Sequence, residues 1–277
     1  MINYAMPSLY VVGTPIGNLE DMSCRAIRIL KEVELIASED TRTTRHLLNH
    51  FDIHTRLISY FEHSKSAKVG YLLKTLETGD VALVSEAGMP GISDPGYELI
   101  VAAYRKGITV VPVPGPSAAV TALSVSGLPT DRFYYLGFLP RKESDRRKKL
   151  VEAAGQPATL VAYEAPHRLN KALHDIMIVL GNRDIAVCRE LTKLHEEIFR
   201  GTVEAATQHF TDPRGEFTLV IAGCSPEAGV LSAEEIHDKI KKLRKTGITA
   251  REAVTELADA GGLSRKELYR LWLDAGR

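Results

Sequence analysis

The amino-acid sequence predicts an α/β protein with two lobes and a small C-terminal helical module. Short apolar runs alternate with segments of helical period, a pattern typical of parallel strands joined by crossover helices. Residues 127–130, Gly-Leu-Pro-Thr, interrupt that pattern as a joint between lobes. From Leu231 onward the sequence is charged, has helical period and lacks a strand pattern. We therefore predict an N-terminal lobe at 1–127, a second α/β lobe at 128–224 and a module at 230–277.

The first lobe is predicted to contain five strands. Their apolar runs lie at residues 9–12, 35–37, 57–58, 81–84 and 109–111. Helices are predicted to begin near Ser23, Tyr97 and Ser117. The clearest helix precedes Gly79, because its apolar residues recur at i, i+3, i+4 and i+7. These residues are Val69, Leu72, Leu73 and Leu76.

The same patterns predict the strands and helices of the second lobe and of the module. Four further strands are predicted at residues 133–139, 159–163, 185–188 and 217–222, with a helix over 167–180. Three short helices starting near Ser232, Thr249 and Ser264 fit the module. Ser232 and Ser264 each have a glutamate three residues later, the spacing of a capping box. The module is therefore predicted to resemble a helix-turn-helix, with Trp272 in its core.

Composition and charge exclude several classes of protein. Lys and Arg together number 35, as do Asp and Glu, so the protein is not uniformly basic, although a local basic patch is still compatible with this balance. The three cysteines are far apart, and neither they nor His63, His167 and His195 show metal-ligand spacing, so no metal site is predicted. Without a signal peptide or an apolar stretch long enough to cross a bilayer, the predicted location is the cytoplasm.

Glycine and proline are concentrated directly after three predicted strands. The segments are residues 13–18, 85–96 and 114–118. Ligands bind outside the carboxyl ends of strands in open α/β sheets, so three such loops from one sheet predict a binding site. Pro15 and a missing third glycine break the dinucleotide fingerprint, and no phosphate-binding P-loop motif occurs.

Four motifs together resemble the tetrapyrrole methylase superfamily. They are VGTPIGNLED from Val12, SEAGMPGISDPG from Ser85, PVPGPSA from Pro112 and YEAPHR from Tyr163. The similarity is closer to the branch that methylates the ribose 2′-hydroxyl of a cytidine in small-subunit ribosomal RNA. It implies two α/β lobes with S-adenosylmethionine in the cleft between them, and a homodimer. Residues 86–90 read Glu-Ala-Gly-Met-Pro where the tetrapyrrole enzymes carry Gly-Asp-Pro, which counts against a porphyrin or corrin substrate.

The resemblance also implies which residues contact the cofactor. They come from the three loops of the first lobe and from the second lobe. The set is Thr14, Pro15, Ser85, Glu86, Ala87, Gly88, Ile92, Ser117, Ala118, Tyr163, Glu216, Phe217 and Thr218.

Methyl transfer to a ribose hydroxyl requires alignment of the acceptor oxygen and a group that accepts its proton. Glu39 and Asp40, which end the second strand, and Asp94 in the long loop are candidates for that base. The alternative for each is a helix cap or a solvated carboxylate. Asp40 and Thr41 have the residue types that cap the following helix.

Clusters of basic residues predict an RNA-binding surface near the mouth of the cleft. The predicted contacts are Arg42, Arg45, Arg141, Lys142, Arg146, Arg147, Lys148 and Lys149, to which the module adds Lys239, Lys241, Lys242, Arg244 and Lys245. The alternative is a solvated helix face. If the cluster binds RNA instead, its cations pair with phosphates along the RNA strand.

The sequence is therefore compatible with three functions. The leading one is an S-adenosylmethionine-dependent methyltransferase of the ribose 2′-hydroxyl of a cytidine, acting on ribosomal RNA or on the assembled small subunit. The second is a methyltransferase of a tetrapyrrole or another small molecule. The third is a nucleic-acid-binding regulator whose working part is the helical module.

Overall fold

A computed structural model describes residues 6–60, 65–224 and 265–274, together with positions 240, 243, 248, 250, 253 and 254. The first lobe is built on a five-stranded sheet in the order β3-β2-β4-β1-β5, and every neighbouring pair is parallel. Its strands are β1 Ser8–Val12, β2 Leu35–Ser38, β3 Arg56–Ser59, β4 Val81–Val84 and β5 Thr109–Val113. The five predicted strands and the parallel arrangement are confirmed.

Four α-helices connect these strands, and a fifth follows β5. They are α1 Cys24–Glu32, α2 Thr41–His50, α3 Lys65–Thr75, α4 Tyr97–Arg105 and α5 Ala118–Val125. The Ser23 side chain caps α1 by accepting a hydrogen bond from the Ala26 backbone N–H at 3.1 Å. Helices α1 and α2 cover one face of the sheet, and α3 and α4 cover the other. Both faces are therefore buried, as a parallel sheet requires.

The second lobe contains a mixed sheet in the order β6-β7-β10-β8-β9. Its strands are β6 Phe133–Phe138, β7 Thr159–Glu164, β8 Asp184–Arg189, β9 Glu197–Thr202 and β10 Phe217–Ile221. β6 and β7 are parallel, whereas the other three neighbouring pairs are antiparallel. The helices are α6 Glu143–Ala154, α7 Leu169–Leu180 and α8 Val203–His209. Four of these strands were predicted; β9 and α8 were not.

Helix α5 joins the two lobes. Its buried residues Ala119, Ala122 and Leu123 pack against Val161 of β7 and Val220 of β10. A helix that follows the first sheet thus covers one face of the second sheet. The carboxyl ends of the first lobe's strands are consequently held against the second lobe.

The C-terminal part of the chain is described at a limited set of positions. A helix spans Arg265–Asp274, and buried Trp272 packs with Ile240, Ala253 and Leu268. The prediction that Trp272 is a core residue is confirmed. The predicted helix starts at Ser232 and Thr249 and the cations between 239 and 245 lie outside the described residues. The three domain boundaries stay predictions. In the part of the chain that the structure describes, no helix has the length and apolarity needed to cross a bilayer.

Candidate active site

A cavity of about 420 Å³ lies between the lobes. This volume is within the range of small-molecule sites, roughly 300–1,000 Å³. The first lobe contributes Ile16, Glu39, residues 86–89 and 92–94, Ser117 and Ala118. The second lobe contributes Phe138, residues 163–166, Cys188, Leu191 and residues 216–218. Most of these residues follow the carboxyl ends of strands, where a ligand site was expected.

The three Gly/Pro-rich loops of the first lobe pack directly on one another. The Thr14 N–H donates to the Gly88 carbonyl at 2.9 Å, and the Gly88 N–H donates to the Thr14 carbonyl at 3.1 Å. A Cβ on Gly115 would lie 2.8 Å from the Gly13 Cα, so this close backbone contact requires glycine. The predicted convergence of the three loops is confirmed.

The long loop, residues 85–96, has a backbone path that turns several times through positive φ. Gly96 has φ +140°, and a Cβ at this position would lie 2.9 Å from the Leu83 side chain. Ser93 adopts φ 61° without being glycine, which is an unfavourable conformation held by the surrounding structure. The loop is thereby folded over one side of the cavity.

Most predicted cofactor-binding residues line this cavity. The ten that do are Glu86, Ala87, Gly88, Ile92, Ser117, Ala118, Tyr163, Glu216, Phe217 and Thr218. The three that do not are Thr14, Pro15 and Ser85. Thr14 and Pro15 are buried, and the Thr14 and Ser85 hydroxyls donate to carbonyls within the loops. These three residues build the loops behind the residues that line the cavity, and their contact with the cofactor stays a prediction.

The sequence-based prediction missed several lining residues. Ile16 lies in the first loop, and Cys188 and Leu191 lie at or after the end of β8. Their position at the ends of predicted strands is a sequence signal that identifies them as candidate lining residues. Burial raises the pKa of the Cys188 thiol to about 11, so it forms a neutral part of the wall.

The charged residues lining the cavity are all acidic. They are Glu39, Glu86, Asp94, Glu164 and Glu216, with no lysine or arginine among the lining residues that the structure describes. Glu216 is paired with Lys193 at 2.8 Å and Glu164 with Arg168 at 2.6 Å, whereas Glu86 and Asp94 in the long loop contribute negative potential to the cavity. Such a lining favours a cationic ligand.

Asp94 lies in the cavity wall, and its pKa is raised well above the ordinary value. Burial raises its pKa to about 6 and the nearby Glu86 carboxylate adds to this rise, while a hydrogen bond from Ser85 opposes it. A carboxylate with this pKa exchanges a proton near neutral pH. Asp94 thus has the property expected of a general base.

The other two candidate bases are placed differently. Glu39 lines the main cavity and also a smaller adjoining one, which Asp40 and Arg42 line as well. Asp40 caps α2 by accepting from the Arg42 N–H at 2.7 Å, and its hydrogen bond with the Arg42 side chain lowers its pKa. The structure therefore gives Asp40 the role of a helix cap, the alternative considered for it above, and places it outside the main cavity.

A chain of hydrogen bonds crosses between the lobes beside Asp94. The Ala119 backbone N–H donates to the Tyr163 hydroxyl at 3.1 Å, and Tyr163 is hydrogen-bonded to Tyr135. The Tyr135 hydroxyl lies 2.7 Å from the Ser93 hydroxyl. Since a backbone N–H only donates, Tyr163 accepts from Ala119 and directs its own proton toward Tyr135. Burial raises the pKa of Tyr163, so its hydroxyl keeps that proton.

The YEAPHR motif divides its residues between the cavity and the core. Tyr163 shares a strand face with Val161, which packs against α5. Glu164 lies on the opposite face, with Leu160 and Ala162, and is ion-paired with Arg168 at 2.6 Å. Arg168 also donates to the Leu139 carbonyl at 3.1 Å. The motif thus supplies a cavity tyrosine and a buried ion pair that fixes the turn after β7.

The structure changes the interpretation of the basic cluster on α6. Arg146 is buried, and its Nε donates to Asp175 Oδ2 of α7 at 2.7 Å, so the prediction that Arg146 contacts RNA is wrong. Arg147 binds the other oxygen of Asp175, and the Lys149 ammonium donates to the Leu136 and Phe138 carbonyls. Three cations of this cluster are exposed, namely Arg141, Lys142 and Lys148. Arg42 and Arg45 are exposed on α2.

Two α/β lobes with a cavity between them are the arrangement that the resemblance to the tetrapyrrole methylases implies. Residues 8–207 match the model of the Tetrapyrrole (Corrin/Porphyrin) Methylases, and the chain belongs to this family. A solved uroporphyrin-III-C-methyltransferase from Thermus thermophilus has a similar fold, with a TM-score of 0.56 and 21% sequence identity over 78% of this chain and 94% of that one.

Two curated relatives are considerably more similar in sequence. The Ribosomal RNA small subunit methyltransferase I of Halalkalibacterium halodurans is 47% identical, covering 96% of this chain and 94% of the relative. The protein of the same name from Synechocystis is also 47% identical, covering 97% of this chain and 98% of the relative. The similarity thus extends through both lobes and into the C-terminal region.

Proposed function

We propose that this protein transfers a methyl group from S-adenosylmethionine to the ribose 2′-hydroxyl of a cytidine in small-subunit ribosomal RNA. The observation that carries the proposal is the acid-lined cavity between two methylase lobes. Nearly full-length similarity to proteins named as small-subunit ribosomal RNA methyltransferases supports the choice of acceptor. The cytidine, its 2′-hydroxyl and the homodimer are what the resemblance to the ribosomal RNA branch of the family implies.

The cavity fits S-adenosylmethionine chemically. This cofactor carries positive charge on its sulfonium and ammonium groups, and when bound it supplies an electrophilic methyl group. Glu86 and Asp94 in the long loop provide negative charge, and Ile16, Leu191 and Phe217 provide apolar wall for the remainder of such a molecule. Ser117 caps α5 and Ala118 begins it, and both line the cavity, so the start of this helix brings backbone N–H donors to the cavity wall.

Asp94 is the residue that we propose as general base. In its ionised form, its carboxylate accepts the proton of the 2′-hydroxyl as the oxygen becomes nucleophilic. The Ser93–Tyr135 hydrogen bond holds the residue next to it and so helps to fix the position of Asp94 in the wall. Glu39, which also lines the cavity, remains the second candidate.

The electrostatics favour RNA over a tetrapyrrole as the acceptor. A porphyrin-type substrate with several carboxylate side chains would be repelled by acidic residues of the cavity such as Glu86 and Asp94. An RNA strand places its phosphates outside such a cavity and presents only a ribose to the interior. The exposed cations Arg42, Arg141 and Lys142 lie on the outer surface, where phosphates would be.

The test is transfer of radiolabelled methyl from S-adenosylmethionine by the purified full-length protein. The acceptors are assembled small ribosomal subunits, the free ribosomal RNA and a uroporphyrinogen. We expect label in the RNA, on a ribose, which makes the adjacent phosphodiester resistant to alkaline hydrolysis. Label on a base, label in the tetrapyrrole alone, or cofactor binding without any transfer would contradict the proposal. The last of these outcomes would favour a cofactor-sensing regulator.

A further inference from the structure

Phe138 occupies an unusual position at the end of β6. Its side chain is 53% exposed and nevertheless lines the inter-lobe cavity. Its ring contacts the Tyr163 ring in an edge arrangement, with the two centroids 5.4 Å apart and the planes at 64°. This contact fixes the orientation of the ring while much of its surface stays open to solvent.

Large apolar side chains are exposed at several places on the described surface, but only two of them line the cavity. Ile92 comes from the long loop of the first lobe, and Phe138 comes from the second lobe. An aromatic ring at the mouth of a cavity is available to a ligand that extends beyond the cavity. Glu86 and Glu216 are also exposed and line the cavity, so its rim carries acidic side chains beside these two apolar ones.

The surface next to Phe138 is positively charged. Arg141 and Lys142 follow within four residues and are exposed, and the Lys149 ammonium is bound to the Phe138 carbonyl. An exposed aromatic ring beside cations has the chemistry of a single-stranded nucleic-acid site, in which bases stack and phosphates pair with cations. A small neutral ligand has no phosphate with which these cations could pair.

We propose that Phe138 is the stacking platform for the base of the acceptor nucleotide. The inference rests on the proposed function and adds to it a residue that recognises the substrate. A cavity of about 420 Å³ that contains a cofactor leaves no space for an RNA strand, so one nucleotide must turn out of its stack. Its ribose enters the cavity toward Asp94, and its base stays at the mouth. Stacking on Phe138 replaces the base–base stacking that is lost.

The test compares three replacements of Phe138 with a matched control. Phe138→Ala removes the ring, Phe138→Leu keeps apolar volume without a π face, and Phe138→Trp keeps the π face. Phe133→Ala is the control, because Phe133 is also an exposed phenylalanine on β6 but lies at the other end of the strand and outside the cavity. The measurements are KM for small ribosomal subunits and, by calorimetry, the Kd for S-adenosylmethionine.

We expect Phe138→Ala and Phe138→Leu to raise the KM for subunits by about 10-fold or more, as loss of one base-stacking contact predicts. Phe138→Trp and Phe133→Ala should stay within about twofold of the unaltered protein, and the Kd for the cofactor should be unchanged in all four variants. An unchanged KM for Phe138→Ala and Phe138→Leu would overturn the proposal. So would a weaker Kd for the cofactor with an unchanged KM for RNA, which would place Phe138 in the cofactor site.

These outcomes are separate from failure of the proposed function itself. If the unaltered protein methylates no RNA, the proposed function fails before any Phe138 variant is compared. If the unaltered protein methylates RNA and the variants do not differ, only the stacking platform fails. Because the Phe138 ring is half exposed, we expect all variants to fold, and their thermal unfolding transitions check this directly.

Discussion

Asp94 and Asp40 show how one residue type acquires opposite properties in two environments. Asp40 is close to solvent and hydrogen-bonded to Arg42, which lowers its pKa and keeps it ionised at the start of α2. Asp94 is partly buried beside Glu86, which raises its pKa to about 6. Both follow strands in the sequence, so only the folded environment separates the helix cap from the proposed base.

The raised pKa of Asp94 gives the first prediction. A general base acts in its ionised form, so kcat/KM should rise about 10-fold per pH unit up to about pH 6 and then level off. Asp94→Asn should lower kcat by about 100-fold or more and abolish this dependence. The measurement is a pH–rate profile of methyl transfer between pH 5 and 8. Asp40→Asn is the matched control, because asparagine still caps a helix, and it should keep the profile of the unaltered protein.

The same pKa shift affects stability in a defined direction. The folded-state pKa of about 6 lies above the ordinary value of 3.8, so the folded protein holds this proton more tightly than the unfolded chain. Stability from this group is fully present below pH 3.8 and is lost as the pH rises to about 6. Asp94→Asn should therefore raise the thermal midpoint at pH 8 and leave it unchanged near pH 3.5.

Full activity in Asp94→Asn would contradict the assignment of Asp94 as general base, and Glu39 would be the next residue to replace.

At the scale of elements, the sequence predicted most strands because their residues are buried on both faces. β1, β2, β4 and β10 are short continuous apolar runs, and each is found with bounds close to the prediction. β9, with the sequence EIFRGT, is an edge strand with partly exposed side chains, so it has no apolar run to reveal it. Helix α8 is short, and its few buried residues give no clear helical period.

The site was predictable where glycine and proline mark the loops, and much less so elsewhere. Position after a strand identified the loops that converge, because parallel strands end at one edge of a sheet. Which side chains face the cavity depends on packing, so the sequence does not reveal that the Thr14 and Ser85 hydroxyls bond to carbonyls within the loops. The sequence predicts an RNA contact for Arg146 because its partner, Asp175, lies 29 residues away on α7 and no local pattern reveals the pair.

The buried pair of Arg146 and Asp175 gives a prediction at the scale of helices. Both side chains are almost fully buried, and the Arg146 guanidinium also donates to the Pro140 and Arg141 carbonyls. Arg146→Ala leaves the Asp175 carboxylate buried with only Arg147, so we expect a loss of about 3–5 kcal/mol in the free energy of unfolding. Lys148→Ala, an exposed position on the same helix, should change it by about 0.5 kcal/mol or less.

Urea unfolding followed by circular dichroism measures both variants. If Arg146→Ala unfolds at the same urea concentration as the unaltered protein, the ion pair does not hold α6 against α7. If it keeps its stability and loses RNA binding instead, the original prediction of an RNA contact is restored for this residue.

For the whole molecule, a net charge of zero conceals a separation of charge. Acidic residues line the cavity, while exposed cations lie on α2 and at the start of α6. The arrangement suits two ligands of opposite charge, a cationic cofactor inside and an RNA polyanion outside. Repulsion between the acidic lining and phosphates also keeps the RNA backbone out of the cavity, so that a ribose is the part that enters.

This separation predicts different salt dependences for the two ligands. RNA binding should weaken steeply as salt rises, because each cation–phosphate contact releases counterions, whereas cofactor binding in the enclosed cavity should respond much less. Arg141→Ala and Lys142→Ala should each reduce the slope of log K against log salt concentration by about 0.7–0.9. Lys106→Ala should leave it unchanged, because this exposed lysine precedes β5, at the edge of the sheet opposite the cavity.

Fluorescence titration of a labelled small-subunit RNA fragment between about 50 and 200 mM salt resolves such slopes, since several phosphate contacts change affinity by orders of magnitude over this range. Equal slopes for Arg141→Ala, Lys142→Ala and Lys106→Ala would mean that the RNA follows another face of the protein. The base platform at Phe138 would then lose the phosphate contacts that its position next to Arg141 implies. Slopes reduced only at Arg141 and Lys142 would instead place the RNA backbone along the β6–α6 turn, directly outside the mouth of the cavity.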